Sequence, residues 1–208
     1  MTHYINLMLG VILFQVNGVT KLYFDKVVFS NYTAQFDAER LLITGPNGLG
    51  KSTLFALLAG LEPFQTGEIM LAGKMMPTSE LQRKVALASD KIVFPAFLTA
   101  KQVLALTAQY QQCSDVAPLI EKFGFSNFVE TKVVNLSSGN LKKLQLINAL
   151  MRKVDVLLLD EPTAALEHKS HPILMEFIKQ FTGQVIVTSH EPEPFINADF
   201  TLQALVND

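Results

Sequence analysis

The segment Gly45-Pro46-Asn47-Gly48-Leu49-Gly50-Lys51-Ser52-Thr53 fits the pattern G-x-x-x-x-G-K-[ST]. Glycines at 45, 48 and 50 let the backbone curl so that successive N–H groups face inward, and a helix N-terminus adds its positive dipole end. Such a cradle suits phosphate oxygens. Within it, Lys51 is placed to reach the β- and γ-phosphates of a nucleoside triphosphate and the Ser52 hydroxyl to ligate Mg²⁺. A turn that merely caps a helix has no need of a Lys-Ser pair at that offset. The other half of such a site is an apolar strand ending in a carboxylate, and Val156-Leu157-Leu158-Leu159-Asp160-Glu161 supplies one. Asp160 at the strand tip is expected to hold Mg²⁺, directly or through water, and Glu161 to turn toward a water attacking the γ-phosphorus.

The elements that must position these groups follow from hydrophobic pattern and punctuation. Residues 41–44 form a short apolar strand that runs into the glycine-rich turn, and residues 52–59 a helix that stops at Gly60. Residues 67–73 and 85–88 read as strands. From residue 99 to 151 the pattern is helical: Thr99 caps a helix running to about Gln112, Asp115 another to Phe123 before Gly124, and Ser137 or Ser138 a third to Arg152. Residues 155–159 and 184–188 are continuous apolar runs of buried-strand type, separated by a helix over about 170–181. The outcome is an α/β core with a helical insertion between its first and later parallel strands. Without repeats or linkers, residues 1–208 are expected to form one domain, with a helical lobe over approximately 90–152.

The most apolar stretch, residues 4–16, contains Asn6 and Gln15 and falls short of the roughly 20 residues that span a bilayer. It also lacks the basic start of a secretory signal. Its second half, residues 12–16, reads as an edge strand and its first half as an appendage. The 49% hydrophobic content excludes a disordered chain, and only 17% charged residues points to apolar surface that meets a partner. A net charge of −2 gives no electrostatic footprint for nucleic acid. The single cysteine, Cys113, excludes an internal disulfide, and a reducing, cytoplasmic setting fits best.

The loop GPNGLGKST and the strand LLLDEPT together resemble the Walker A and Walker B segments of the ABC ATPase family, and the resemblance extends over nearly the whole chain. It implies an α/β fold with a P-loop NTPase core, a mainly parallel sheet, an antiparallel β edge region and a helical insertion lobe. Leu136-Ser137-Ser138-Gly139-Asn140 stands where the family carries its LSGGQ signature, departing at Ser138 and Asn140. The resemblance implies that Ser137 and the Gly139 backbone contact the γ-phosphate held by an opposite subunit in a head-to-tail homodimer or heterodimer; the serines also read as helix caps. Ala164-Ala165-Leu166-Glu167 occupies the family's D-loop, with the acid kept but lengthened. His190 resembles the switch histidine that bonds the γ-phosphate and orients the water and Glu161. Tyr23 lies near the position of the aromatic that stacks on adenine, with Phe24 as its rival. Asp90 falls where the family has the glutamine of its Q-loop; a carboxylate there retains an oxygen for Mg²⁺ but is shorter and charged.

By the same resemblance the cofactors are ATP and Mg²⁺, and the activity is ATP hydrolysis coupled to transport through a separate integral membrane permease, at the inner face of the cell membrane. The short chain is similar to simple exporter subunits, including the haem-exporter type of cytochrome c maturation. Two other readings stay open: a soluble ABC ATPase acting on DNA or ribosomes, and a nucleotide-sensing module that hydrolyses slowly. The first class usually carries coiled-coil insertions, paired ATPase domains or basic segments, none of which is visible. Against the second stand Lys51, Asp160, Glu161 and His190, all intact.

Overall fold

The computed structural model describes residues 14–206. Strands β1 (Phe14–Tyr23), β2 (Lys26–Phe36), β4 (Thr66–Leu71) and β5 (Lys74–Met75) form an antiparallel sheet in the order β2-β1-β4-β5. Strands β3 (Arg40–Thr44), β6 (Val85–Ala88), β7 (Val156–Asp160), β8 (Gln184–Thr188) and β9 (Thr201–Ala204) form a second sheet in the order β6-β7-β8-β3-β9, every pair parallel.

Residues 14–16, expected at a sheet edge, are instead interior: Phe14 pairs with Phe36 of β2 on one side and with Leu71 of β4 on the other. Residues 4–13, with the start of that expected strand, lie outside the described residues. The sequence hid β2 because its buried positions, Phe29, Tyr32 and Phe36, do not alternate with period two. Asn31 at φ +50° and register shifts along β1 break the pleat between them.

Helix α1 (Lys51–Leu58) buries every residue except Ser52, because it is wedged between the two sheets. Leu54, Phe55 and Leu58 share one core with Val16 and Ile69 of the antiparallel sheet and with Ile43, Leu158 and Ile186 of the parallel one. The alternate residues Leu42, Leu157, Leu159 and Val187 face a second core. Burial on both faces explains why these strands read as continuous apolar runs. That second core is closed by α3 (Ala100–Tyr110), α4 (Ala117–Lys122), α5 (Ser138–Leu150) and α6 (His171–Gln180). The first three are inserted between β6 and β7. Thr99 caps α3 in a reciprocal box with Gln102, and the Ser137 hydroxyl caps α5 by accepting from Asn140 N at 3.2 Å. Two further short α-helices among the described residues are α2 (Thr78–Lys84) and α7 (Glu193–Ile196).

Parallel strands deliver their carboxyl ends to one rim, where ligands of open α/β sheets bind. The Gly45–Gly50 loop leaves β3 there, Asp160 ends β7, His190 follows β8 and Ser89 follows β6.

Candidate functional site

That rim holds a cavity of about 290 Å³ lined by Asn47, Gly48, Gly50, Lys51, Ser52 and Thr53 from the loop and α1, and by Asp160, Glu161 and His190 from β7 and β8. Tyr23, Lys26 and Val28 of the first hairpin close its outer side. Gly50 is the N-cap of α1 at φ +104°, and a Cβ there would come within 2.9 Å of both Phe29 and Val28. The loop can follow its path only without a side chain at this point. Gly50→Ala is therefore expected to cost roughly 1–3 kcal/mol, read as a lowered midpoint in thermal unfolding without nucleotide. Lys51 is buried, and its ammonium donates to Gly45 O at 2.6 Å and Pro46 O at 3.0 Å. Gly45 and Pro46 thus serve the site through their carbonyls. An ammonium has three N–H donors, so one remains for an anion.

Asp160 is buried, and hydroxyls hold both its oxygens: Ser89 donates to Oδ2 at 2.8 Å and Thr188 to Oδ1 at 2.7 Å. These bonds fix its direction, while each oxygen keeps a further lone pair. With the Ser52 hydroxyl on the same cavity, the donors are hard oxygens, as Mg²⁺ requires. Among the described residues no group of three or more His, Cys, Asp or Glu could cage a metal. Few protein ligands, with water and phosphate supplying the rest, is the usual arrangement for Mg²⁺.

Glu161 adopts φ +47°, the left-handed region that non-glycine residues rarely enter. Its N–H donates to Thr188 O at 3.1 Å, and its Oε2 accepts from His190 N at 2.9 Å. Oε1 lies 3.4 Å from His190 Nε2, within ion-pair reach but without hydrogen-bond alignment, so this buried oxygen has no hydrogen-bond partner. Glu161 thus combines a strained backbone, a place on the cavity wall and a carboxylate oxygen left without a hydrogen-bond partner, features that gather at functional sites.

At the outer end, the Tyr23 hydroxyl donates to Glu62 Oε2, and Lys21 Nζ lies 4.3 Å from the ring centroid. Lys91 reaches Glu62 Oε1 and Thr53 Oγ1, each at 3.2 Å. Phe24 sits at the hairpin tip, fully exposed and outside the cavity lining.

The ABC transporter family model matches residues 33–164, well over half of the chain. The chain belongs to the ABC transporter family. Curated relatives of this ABC ATP-binding protein include the manganese transport system ATP-binding protein of Listeria monocytogenes, 28% identical, with 93% of this chain and 86% of that protein covered. The lipoprotein-releasing system ATP-binding protein of a Shewanella strain is 27% identical over 88% of each. Among solved structures, an ATP-binding subunit of an ABC transporter superposes with a TM-score of 0.78 at 21% identity, covering 93% of this chain and 85% of that one. The last likeness speaks for the fold.

Several residues singled out in the ABC sequence lie away from the cavity. Asp90 does not line it; its carboxylate accepts from Lys142 at 2.7 Å. Ser137, Ser138, Gly139 and Asn140 open α5 outside the cavity, and Glu167 pairs with Lys169 at 2.9 Å and Lys143 at 3.6 Å. The hydrogen bond from Lys169, then the charge of Lys143, lowers the Glu167 pKa. Sequence reasoning missed Ser89, Thr188, Glu62 and Lys91. The two hydroxyls had a signal: each stands at the carboxyl end of a buried parallel strand beside β7. Glu62 and Lys91 had none, since only tertiary packing brings them to Tyr23. A larger cavity, about 470 Å³, lies by Lys84 and Asp155 at the opposite ends of β6 and β7 and holds none of the motif residues.

Proposed function

We propose that this ABC ATPase binds Mg-ATP at the Lys51 loop and hydrolyses it as a head-to-tail dimer, powering transport through a separate membrane subunit. One observation carries the reading: Lys51, Asp160, Glu161 and His190 converge on one cavity, while Ser137–Gly139 of the same chain stands outside it. A second copy is needed to bring a signature segment to the phosphate. In the bound state the loop N–H groups and Lys51 hold the β- and γ-phosphates, and Ser52 and Asp160 would hold Mg²⁺, which supplies charge neutralisation along the phosphates. The Glu161 carboxylate accepts a proton from the attacking water, with His190 beside it to orient water and phosphate. Tyr23, its hydroxyl tied to Glu62, offers a ring face to the base.

No helix among the described residues is long and apolar enough to cross a membrane. The lobe offers a surface for a membrane partner: Val93, Phe97 and Val134 are 86%, 73% and 66% exposed. A hydrogen bond from Val134 N to Ala96 O at 3.2 Å joins the segments that carry them. Exposed apolar groups on a chain this poor in charge favour a protein contact. Substrate choice in this reading belongs to the membrane partner. Affinity purification from detergent-solubilised membranes of the native host is the test. The expected result is co-elution with an integral membrane protein in stoichiometric amount, lost on Phe97→Glu/Val134→Glu. Recovery of a strictly monomeric chain with full ATPase activity and no membrane protein would overturn the proposal.

A further inference from the structure

Three successive side chains leave the end of β6 in three directions. Ser89 donates to Asp160 of β7, Asp90 accepts from Lys142 of α5, and Lys91 donates to Thr53 of α1. One tripeptide therefore touches the carboxylate strand, the helix that carries the signature segment and the helix that follows the phosphate loop. The middle contact is unequal. The Lys142 side chain is 4% exposed and that of Asp90 78%. A buried ammonium without a counter-charge is strongly disfavoured, whereas a carboxylate at the surface is well solvated by itself. The requirement for the pair comes from Lys142.

The neighbouring residue repeats the pattern. Lys143, equally buried, faces Glu167 in the segment after β7. One turn from Lys142, Gln145 Nε2 donates to Ile92 O at 3.4 Å. Helix α5 is thus gripped from one side by residues 90–92 and from the other by Glu167. Its amino end carries Ser137, whose hydroxyl caps the helix, and Gly139, where a Cβ would lie 3.0 Å from Ala165 O.

We propose that Asp90 is a positioning residue: its ion pair with Lys142 fixes where α5, and with it Ser137–Gly139, stands relative to the Lys51 loop. Two departures from the family pattern then have one explanation, because Asp90 and Glu167 are the counter-ions of the consecutive buried lysines 142 and 143. Asp90 acts through Lys142 and is not a magnesium ligand. The inference rests on the reading of Ser137–Gly139 as the segment that meets a second copy's nucleotide.

Two measurements test it. In the first, spin labels are placed at Ala105→Cys on α3 and Lys74→Cys on β5 in a Cys113→Ser background, and their separation is read by pulsed electron resonance. The native chain and Asp90→Glu should give one narrow distance distribution. Asp90→Asn and Lys142→Gln should each broaden it, and the double variant should be no broader than either. Superimposable distributions for native and Asp90→Asn would overturn the proposal. This measurement needs neither hydrolysis nor a second copy, so failure of the dimer reading is seen separately. In the second, Asp90→Asn should lower kcat by on the order of tenfold through misplacement of the signature segment. Its Mg-ATP affinity and Mg²⁺ half-saturation should stay at native values, and Asp90→Glu should recover the rate. A shifted Mg²⁺ half-saturation would return Asp90 to the metal and sink the positioning role.

Discussion

Replacing Lys51 with alanine should lower the affinity for Mg-ATP by about a hundredfold, the loss of one or two charge-assisted hydrogen bonds to phosphate. The ammonium sits within 3.0 Å of two loop carbonyls, so the loop itself holds it where phosphate must lie. Removing it takes away the positive charge and also leaves those carbonyls without a donor. Lys51→Met, which keeps most of the apolar stem, separates the loss of the ammonium from the loss of buried stem packing. Both variants should lose affinity by isothermal titration calorimetry, while Lys51→Met should unfold at a higher midpoint than Lys51→Ala. Unchanged affinity in either would remove the phosphate loop from the site.

The other large effect is expected from Glu161→Gln. Glutamine keeps the size of the side chain and an oxygen for the His190 N–H, so the strained turn should persist. It cannot take a proton from water, and turnover should fall by about 10²–10⁴-fold while affinity for ATP stays within about twofold. Bound ATP then survives, and the two-nucleotide dimer should accumulate because its ligands are no longer destroyed. Light scattering should show a doubled mass with Mg-ATP and a monomer without it. Adding Ser137→Arg should restore the monomer by placing bulk and charge at the seam. Where the free interface is too weak to show the dimer, the same measurement is made on the assembly with its membrane subunit. A fully active assembly holding one ATPase chain would defeat the dimer reading.

Legibility in the sequence followed the directness of each physical signal. The inner strands β3, β7 and β8, and β6, were readable because burial leaves mostly apolar residues, as in Val156–Leu159, whereas β9, largely exposed at the edge, left no such run. Helix α3 was readable from its cap, since Thr99 with Gln102 three residues on is a local hydrogen-bond pattern. Strand β2 was not, because Asn31 at positive φ and the shifted register break the alternation that marks a strand. The interior place of β1 was missed for the same reason. An edge is defined by whether both neighbours exist, and one of them had left no pattern.

What the sequence by itself determined is the chemistry along the chain: a phosphate-binding loop between a strand and a helix, a strand ending in Asp160 and Glu161, and a histidine closing a later strand. These rest on local backbone geometry and on residue types at short spacing, which neighbours in sequence specify. The tertiary structure alone decided how segments far apart in sequence answer one another's charges. Asp90 meets Lys142 across 52 positions, and Ser89 meets Asp160 across 71. The reason is burial. Whether a carboxylate serves a metal or a lysine depends on which charge is cut off from water, and solvent access belongs to the packed molecule.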